Sequence, residues 1–380
     1  MTALPLLFAL AFVVYVDIRI IGPVLPSISA SLHGTPGQVG LAMAGYSLAY
    51  GTGQLAYGPL SDRHGRVAVV RLAGLGFVLG TALSAGAATT WQFIGARLVA
   101  GAFAGAVIPL TLVFIGDRYD YKDRQVIIGR LSAVTSAGLA FSAGIGGAVA
   151  YFISWRVMLL GYAALALAPI ALMWRLDPAR PPRRGRDGTQ VRYGDFFTDR
   201  RARILYLSVF LEGFFLWGGV TYLGAFATHR HGLDQLHVGL LIALFGVGTM
   251  LGGILMAPVH RRLSENVLAG LGGGAMGGAL LALIPRWPWP VFAAAMLLLG
   301  LGFVALHTTL QLRGTEISPA ARGKAFSLFA FFLFAGLAAG TAVLGRLMDA
   351  GLENAMIGVC ALGLMAVGAG TGGFWRKGAA

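Results

Sequence analysis

Apolar runs of about 20 residues, the length that carries a helix across a bilayer, recur along the whole chain with only short polar links between them. No soluble core of this size hides so many of them. Twelve runs are expected, at roughly 4–26, 37–60, 67–89, 92–115, 126–150, 155–175, 203–227, 236–259, 265–285, 289–312, 323–346 and 352–375. Composition supports the reading where it is needed: 57% of residues are hydrophobic and 12% charged, against about a quarter charged in soluble domains. The 57 glycines suit helices that pack backbone to backbone in lipid. The first run is not read as a cleaved signal, because no basic segment precedes it and Asp17 and Arg19 interrupt it.

The net charge of +14 first suggests nucleic acid, but placement argues otherwise. With a cytoplasmic N-terminus, 21 of the 29 basic residues fall in inner links and the tail, and four, Arg156, Arg230, Arg286 and Arg346, in outer links. That asymmetry orients both termini to the cytoplasm of a multi-pass protein of the inner (cytoplasmic) membrane. The longest inner link, from Arg175 to Arg203, holds nine Arg and three Pro; it reads as a positive anchor that also meets anionic headgroups of membrane lipids. The single Cys360 forms no intrachain disulfide. There is no phosphate-cradling Gly-rich Lys loop and no His or Cys cluster with metal-ligand spacing, so no cofactor and no metal are expected.

The chain also looks doubled. Setting Asp17 against Glu212, Pro59 against Pro258, and "GRLS" at Gly129 against "GKAFS" at Gly323 gives offsets of 195, 199 and 194. A nearly constant offset indicates an internal repeat. The expected fold is all-α, twelve transmembrane helices in two pseudo-symmetric six-helix bundles, with 1–175 as the first bundle, 176–202 as a basic linker and 203–380 as the second. Two parallel repeats imply a transport architecture with a substrate site between them near mid-membrane.

Charges inside apolar spans are expensive and therefore mark function. Only Asp17 and Glu212 are acidic residues well inside a span, and they are repeat counterparts. Arg19 is the obvious partner for Asp17, but residues two apart point about 200° away from each other around a helix. The link "GPLSDRHGRV" concentrates Asp62, Arg63 and Arg66 in one short turn closed by Gly65. A carboxylate there can accept from a helix N-terminus or from arginines, forming a latch that closes only when the helix ends are near. The second copy, "APVHRRLSEN" from Ala257, has His260 or Arg261 near the place of Asp62, which marks the first link as the gate latch.

These residues resemble the major facilitator superfamily, over essentially the whole length. Gly58, Leu60, Asp62, Arg63, Gly65 and Arg66 match its loop motif between spans two and three, with Val67 where a basic residue would stand. "RLVAGAFAGA" from Arg97 resembles its span-four motif, and Pro23 and Pro26 resemble the span-one end of its twelve-span drug:proton antiporters. In span five, Ser142 and Ala143 replace the antiporter Gly and Pro, although Gly146 and Gly147 remain. The resemblance implies a monomer, with spans one and seven lining a central cavity and the loop of Gly58, Asp62, Arg63, Gly65 and Arg66 stabilising the outward-open state. It implies proton coupling through Asp17, Glu212 and Arg97. Arg97 is expected to hydrogen-bond backbone or Asp17 and to relay protons, or to snorkel from the start of its span. Candidate substrate contacts are Arg19, Tyr46, Tyr50, Phe215, Trp217, His307 and Gln311. Acids beside aromatics suit lipophilic cations. The expected function is a secondary active transporter, exporting amphipathic or drug-like small molecules against protons by alternating access. The alternative is a carrier for a sugar, metabolite or lipid, with or without proton coupling, with dominance of Arg19 and Arg97 pointing to anions or lipid headgroups. A receptor or membrane enzyme would need larger extramembrane parts than these links supply.

Overall fold

The computed structural model describes residues 3–176, 193–260, 262–318 and 321–376. The bulk of the basic linker, Arg261 and the side chain of His260 lie outside the described residues. Helices account for every crossing expected from the sequence. Span 1 is Ala3–Arg19 continued by Ile21–Ser31; span 2 is Pro36–His64; span 3 is Arg66–Ala85; span 4 is Thr90–Ala104 continued by Val107–Arg118; span 5 is Tyr121–Phe152; span 6 is Trp155–Trp174. Span 7 is Arg200–Glu212, Gly213–Trp217 and Gly218–His231 end to end; span 8 is Gln235–His260; span 9 is Glu265–Ala282; span 10 is Trp289–Glu316; span 11 is Arg322–Asp349; span 12 is Glu353–Arg376. Ten of these helical stretches are long and apolar enough to cross a membrane, and spans 2 and 9 are the ones diluted by glycine and polar residues. The result is a multi-pass membrane protein of two six-helix bundles, with no strand among the described residues.

Three spans are broken, and each break has a local cause. Pro23 cannot donate to the carbonyl of Arg19, and span 1 interrupts there before resuming at Ile21. Pro109 stands in the same relation to Gly105, where span 4 is interrupted. Span 7 instead widens into a π turn over Gly213–Trp217, directly after Glu212. Such turns gather at functional positions because one extra residue per turn re-aims the side chains around it.

One expectation needs correction. The sequence reading put Asp62, Arg63 and Gly65 in a tight turn beyond span 2, yet span 2 stays helical through His64. The helix stops only at Gly65, whose φ of 89° is open to glycine and strained for other residues. Asp62 and Arg63 therefore stand on the last helical turn, and the link between spans 2 and 3 is Gly65 alone.

The bundles meet along the ends opposite the chain termini. Gly37 of span 2 lies directly against Gly345 and Asp349 of span 11, and Gly147 of span 5 against Gly239 of span 8; a Cβ at either would collide with backbone or carboxylate. Aromatic contact continues the seam inward, with Tyr50 of span 2 and Phe334 of span 11 at 4.4 Å between ring centroids.

Candidate functional site

Two acid–base pairs lie inside the helices, one in each bundle. In the first, Arg97 of span 4 donates from Nη1 to Asp17 Oδ1 of span 1 at 3.0 Å and from Nη2 to the Asp17 carbonyl at 3.3 Å. Both side chains are 0% exposed. The guanidinium also sits over the Tyr46 ring, 4.3 Å from its centroid, so a charge that would be prohibitive in hydrocarbon is held by a carboxylate, a carbonyl and a π face. Arg97 thus turns inward to Asp17 instead of snorkelling.

The second pair joins Glu212 of span 7 to His307 of span 10. His307 Nδ1 lies 3.1 and 3.0 Å from the two carboxylate oxygens, with Glu212 fully buried and His307 13% exposed. An imidazole facing a buried carboxylate is charged only when it carries a second proton, so the pair can be a neutral ion pair or a lone carboxylate beside a neutral ring.

An aromatic strip leaves this pair and crosses to the first bundle. His307 stacks on Phe303 at 4.8 Å, Phe303 meets Trp217 edge-on at 5.2 Å, and the Arg19 guanidinium lies 3.4 Å from the Trp217 ring centroid. The π turn explains why Trp217 takes part: an i→i+5 turn brings the residue five positions on back toward the face of Glu212. Arg19, Met43, Leu139, Trp217, Ile242 and Phe245 help to line a narrow cavity with a free volume of about 30 Å³, room for a water or two or for one small polar group of a ligand.

The remaining expected contacts divide. Tyr46 and Tyr50 are buried and stack at 6.3 Å on the span-2 side. Gln311 lies one turn beyond His307, partly exposed. Phe215 is not brought to the cavity: it sits within the π turn and its ring lies against Gly363 of span 12.

Both bundles carry a further ion pair at the end nearer the termini. Arg66, at the start of span 3, reaches Asp117 at the end of span 4 (Nε to Oδ2, 3.0 Å) and also touches Asp62 and Ser61. Asp62 is 60% exposed and Asp117 only 11%. Sequence reasoning chose Asp62 and passed over Asp117, although "GDRY" repeats the acid–arginine doublet at a second helix end. In the second bundle Arg313, 1% exposed at the end of span 10, donates to Glu265 at the start of span 9 at 3.3 Å, to Asn266 at 2.6 Å and to the Thr371 carbonyl at 3.0 Å. The second bundle therefore has a carboxylate at this end as well: Glu265 lies several residues beyond the place of Asp62, on the next helix.

At the opposite end, Asp349 of span 11 crosses to the capped start of span 2. Thr35 Oγ1 donates to it at 2.7 Å and the Gly37 amide at 2.8 Å. A carboxylate at a helix N-terminus is favoured by the unpaired amides and the helix dipole. The acid at the end of span 11, opposite a Thr-Pro helix start, was the available signal in the sequence.

With the pairing of spans 1 with 4 and 7 with 10 established, the comparison with known proteins is decisive: the sequence pattern of the Major Facilitator Superfamily matches residues 7–341. The chain belongs to the Major Facilitator Superfamily. This superfamily member is 25% identical to an uncharacterized MFS-type transporter, YceJ, of Bacillus subtilis (strain 168), over 90% of the chain and 88% of the relative. It is 26% identical to a chloramphenicol resistance protein of Pseudomonas aeruginosa, over 74% of the chain and 68% of the relative. Its fold matches that of a bacterial homolog of the human lysosomal transporter Spinster in an inward-facing and unoccupied conformation, at TM-score 0.76 and 18% identity, covering 97% of this chain and 91% of that one. Membership of the Major Facilitator Superfamily makes the protein a transporter of small molecules.

Proposed function

We propose that this transporter is proton-coupled and exports amphipathic, drug-like molecules by alternating access between its bundles. The observation that carries the proposal is the Glu212–His307 pair: a fully buried carboxylate facing an imidazole, at one end of an aromatic strip that reaches the cavity. A proton taken by the pair cancels its negative charge in a medium where an isolated charge is costly. A basic group on the substrate cancels the same charge. The two therefore compete, which is the requirement for exchange. Asp17 and Arg97 are proposed to complete the proton path, and Tyr46, Tyr50, Trp217 and Gln311 to shape the substrate's surroundings. The chloramphenicol resistance relative supports export of drug-like molecules.

Gating follows from the two ends. The contacts of Asp349 with Thr35 and Gly37 and the Gly147–Gly239 approach hold the far end shut. Gly58, Asp62, Arg63, Gly65 and Arg66, with Asp117, form the proposed latch of the opposite end. The protein is proposed to act as a monomer with both termini cytoplasmic. The test is flux of chloramphenicol and of aromatic amines in proteoliposomes under an imposed pH gradient. Gradient-driven flux is expected to fall to background in Glu212→Gln; flux indifferent both to the gradient and to that substitution ends the proton-coupled reading.

A further inference from the structure

Among the described residues, Arg19 is the mid-span cation bordering the cavity that has no carboxylate partner. Arg97 has Asp17. The neighbours of Arg19 are the Trp217 ring, 3.4 Å from its guanidinium carbon, and the neutral phenols of Tyr15, Tyr50 and Tyr46; among the described residues no carboxylate pairs with it. Its Nε is buried without an acceptor, and so is the indole Nε1 of Trp217. Both side chains border the same cavity. Two unanswered donors and one uncancelled positive charge on one cavity wall call for a group that is anionic and accepts more than one hydrogen bond. The rest of the wall is largely apolar, with Met43, Leu139, Ile242 and Phe245 among others, and its Ser142 and Thr221 hydroxyls already donate to the Val16 and Trp217 carbonyls, which leaves little for a hydrated inorganic anion.

We propose that Arg19 seats the carboxylate of the substrate, and that the transported class is aromatic amphiphiles charged at both ends. The acid end binds Arg19 and the Trp217 N–H, the ring system lies along the Trp217–Phe303 strip, and the basic end meets Glu212 and His307. This deepens the transporter reading and rests on it. It also keeps exchange intact, because the basic end takes the place of the proton at Glu212 while the acid end is held separately by the guanidinium of Arg19.

Equilibrium binding to the whole protein in nanodiscs tests it with three matched probes. They are a fluoroquinolone with an aryl carboxylate and a distal secondary amine, its methyl ester, which lacks the anion, and its N-acetyl derivative, which lacks the cation. Arg19→Gln is expected to weaken the parent and the N-acetyl probe roughly 10- to 100-fold, the range for a charge-assisted hydrogen bond, and to leave the ester unchanged. Unchanged ester binding also shows that the variant is folded. Arg19→Lys is expected to recover part of the loss, as a point charge without the planar fork. Equal weakening of all three probes, no weakening of any, or displacement of the parent by anionic phospholipid alone at constant apolar content overturns the proposal. Failure of the transporter reading registers separately, as wild-type protein that binds the parent yet shows no flux driven by the pH gradient.

Discussion

Spans 1 and 4 of the first bundle and spans 7 and 10 of the second each bury one acid–base pair, and the pairs differ in their base. Asp17 faces the guanidinium of Arg97; Glu212 faces the imidazole of His307. The two bundles thus bury pairs of different chemistry. The first pair is a fixed neutral joint, sealed at 0% exposure on both sides, and a proton can enter it only by breaking the ion pair. The second is less enclosed, with the His307 side chain 13% exposed beside a fully buried Glu212. Under the proposed proton coupling, the second pair is where the proton and the substrate's basic group compete, and the first pair has to open for the proton to pass on.

The largest effect should come from breaking the sealed joint. Asp17→Asn strands the Arg97 charge in a dry interior, a loss of about 3–5 kcal/mol for a buried pair missing one partner. The expected result is a steep drop in melting temperature and no flux, whereas Asp17→Asn combined with Arg97→Gln regains most of the stability. Recovery of stability without recovery of flux would separate the structural part of the pair from the transport part. Next comes His307→Arg, which turns the second pair into a copy of the first. Binding of an anionic probe that lacks the basic end should survive within about threefold, an energy below 1 kcal/mol, while a probe with the basic end binds more weakly and the response of flux to a pH gradient disappears. A variant that remained gradient-driven would move the proton station elsewhere.

The sequence made the fold legible because the relevant signal is one-dimensional: an apolar run long enough to cross a bilayer is visible without knowing its neighbours. The buried acids were legible for the same reason, since Asp17 and Glu212 stand out against apolar surroundings. Their partners were harder. Which helix faces Glu212 depends on how span 7 is wound, and the π turn at Gly213–Trp217 leaves no composition signature; it also turned Phe215 toward span 12 while keeping Trp217 on the cavity. Asp117, Glu265, Arg313 and Asp349 escaped because each sits at a helix end, where an acid or arginine reads as an ordinary solvated terminus until the opposing helix is in place.

The end pairs extend the comparison with smaller effects. Arg66–Asp117 and Glu265–Arg313 both tie the start of a third helix to the end of a fourth, counted within each bundle, with acid and base exchanged. Matching by residue type hides this correspondence, because the geometry is kept while the sign is not. Asp117→Asn should cost roughly 2 kcal/mol, less than the sealed pair because Asp117 keeps some contact with water. Asp62→Asn should cost about 0.5 kcal/mol, since an exposed carboxylate gains little from its ion pair. Thermal melts of the two variants compare them directly; a larger loss at Asp62 would restore it as the principal anion of the latch.

The most specific effect, small beside that of either buried pair, is expected at the opposite end. Asp349 contributes two hydrogen bonds, to Thr35 Oγ1 and the Gly37 amide, and a helix-capping interaction of this kind is worth about 1 kcal/mol. Asp349→Asn keeps the shape and one acceptor oxygen, so the loss is that of the charge. About 1 kcal/mol shifts a two-state equilibrium roughly fivefold, which is too little to unfold the protein and enough to change how often the far end opens. A cysteine at Gly22, which faces Thr221 across that seam, reports the opening through its labelling rate with a membrane-impermeant maleimide, and the native Cys360 is buried and contributes little background. Faster labelling in Asp349→Asn, with flux altered and melting temperature nearly unchanged, is the expected result. An unchanged labelling rate would mean that the glycine contacts alone hold this end shut, and that the clasp between Asp349 and span 2 forms after closure without favouring it.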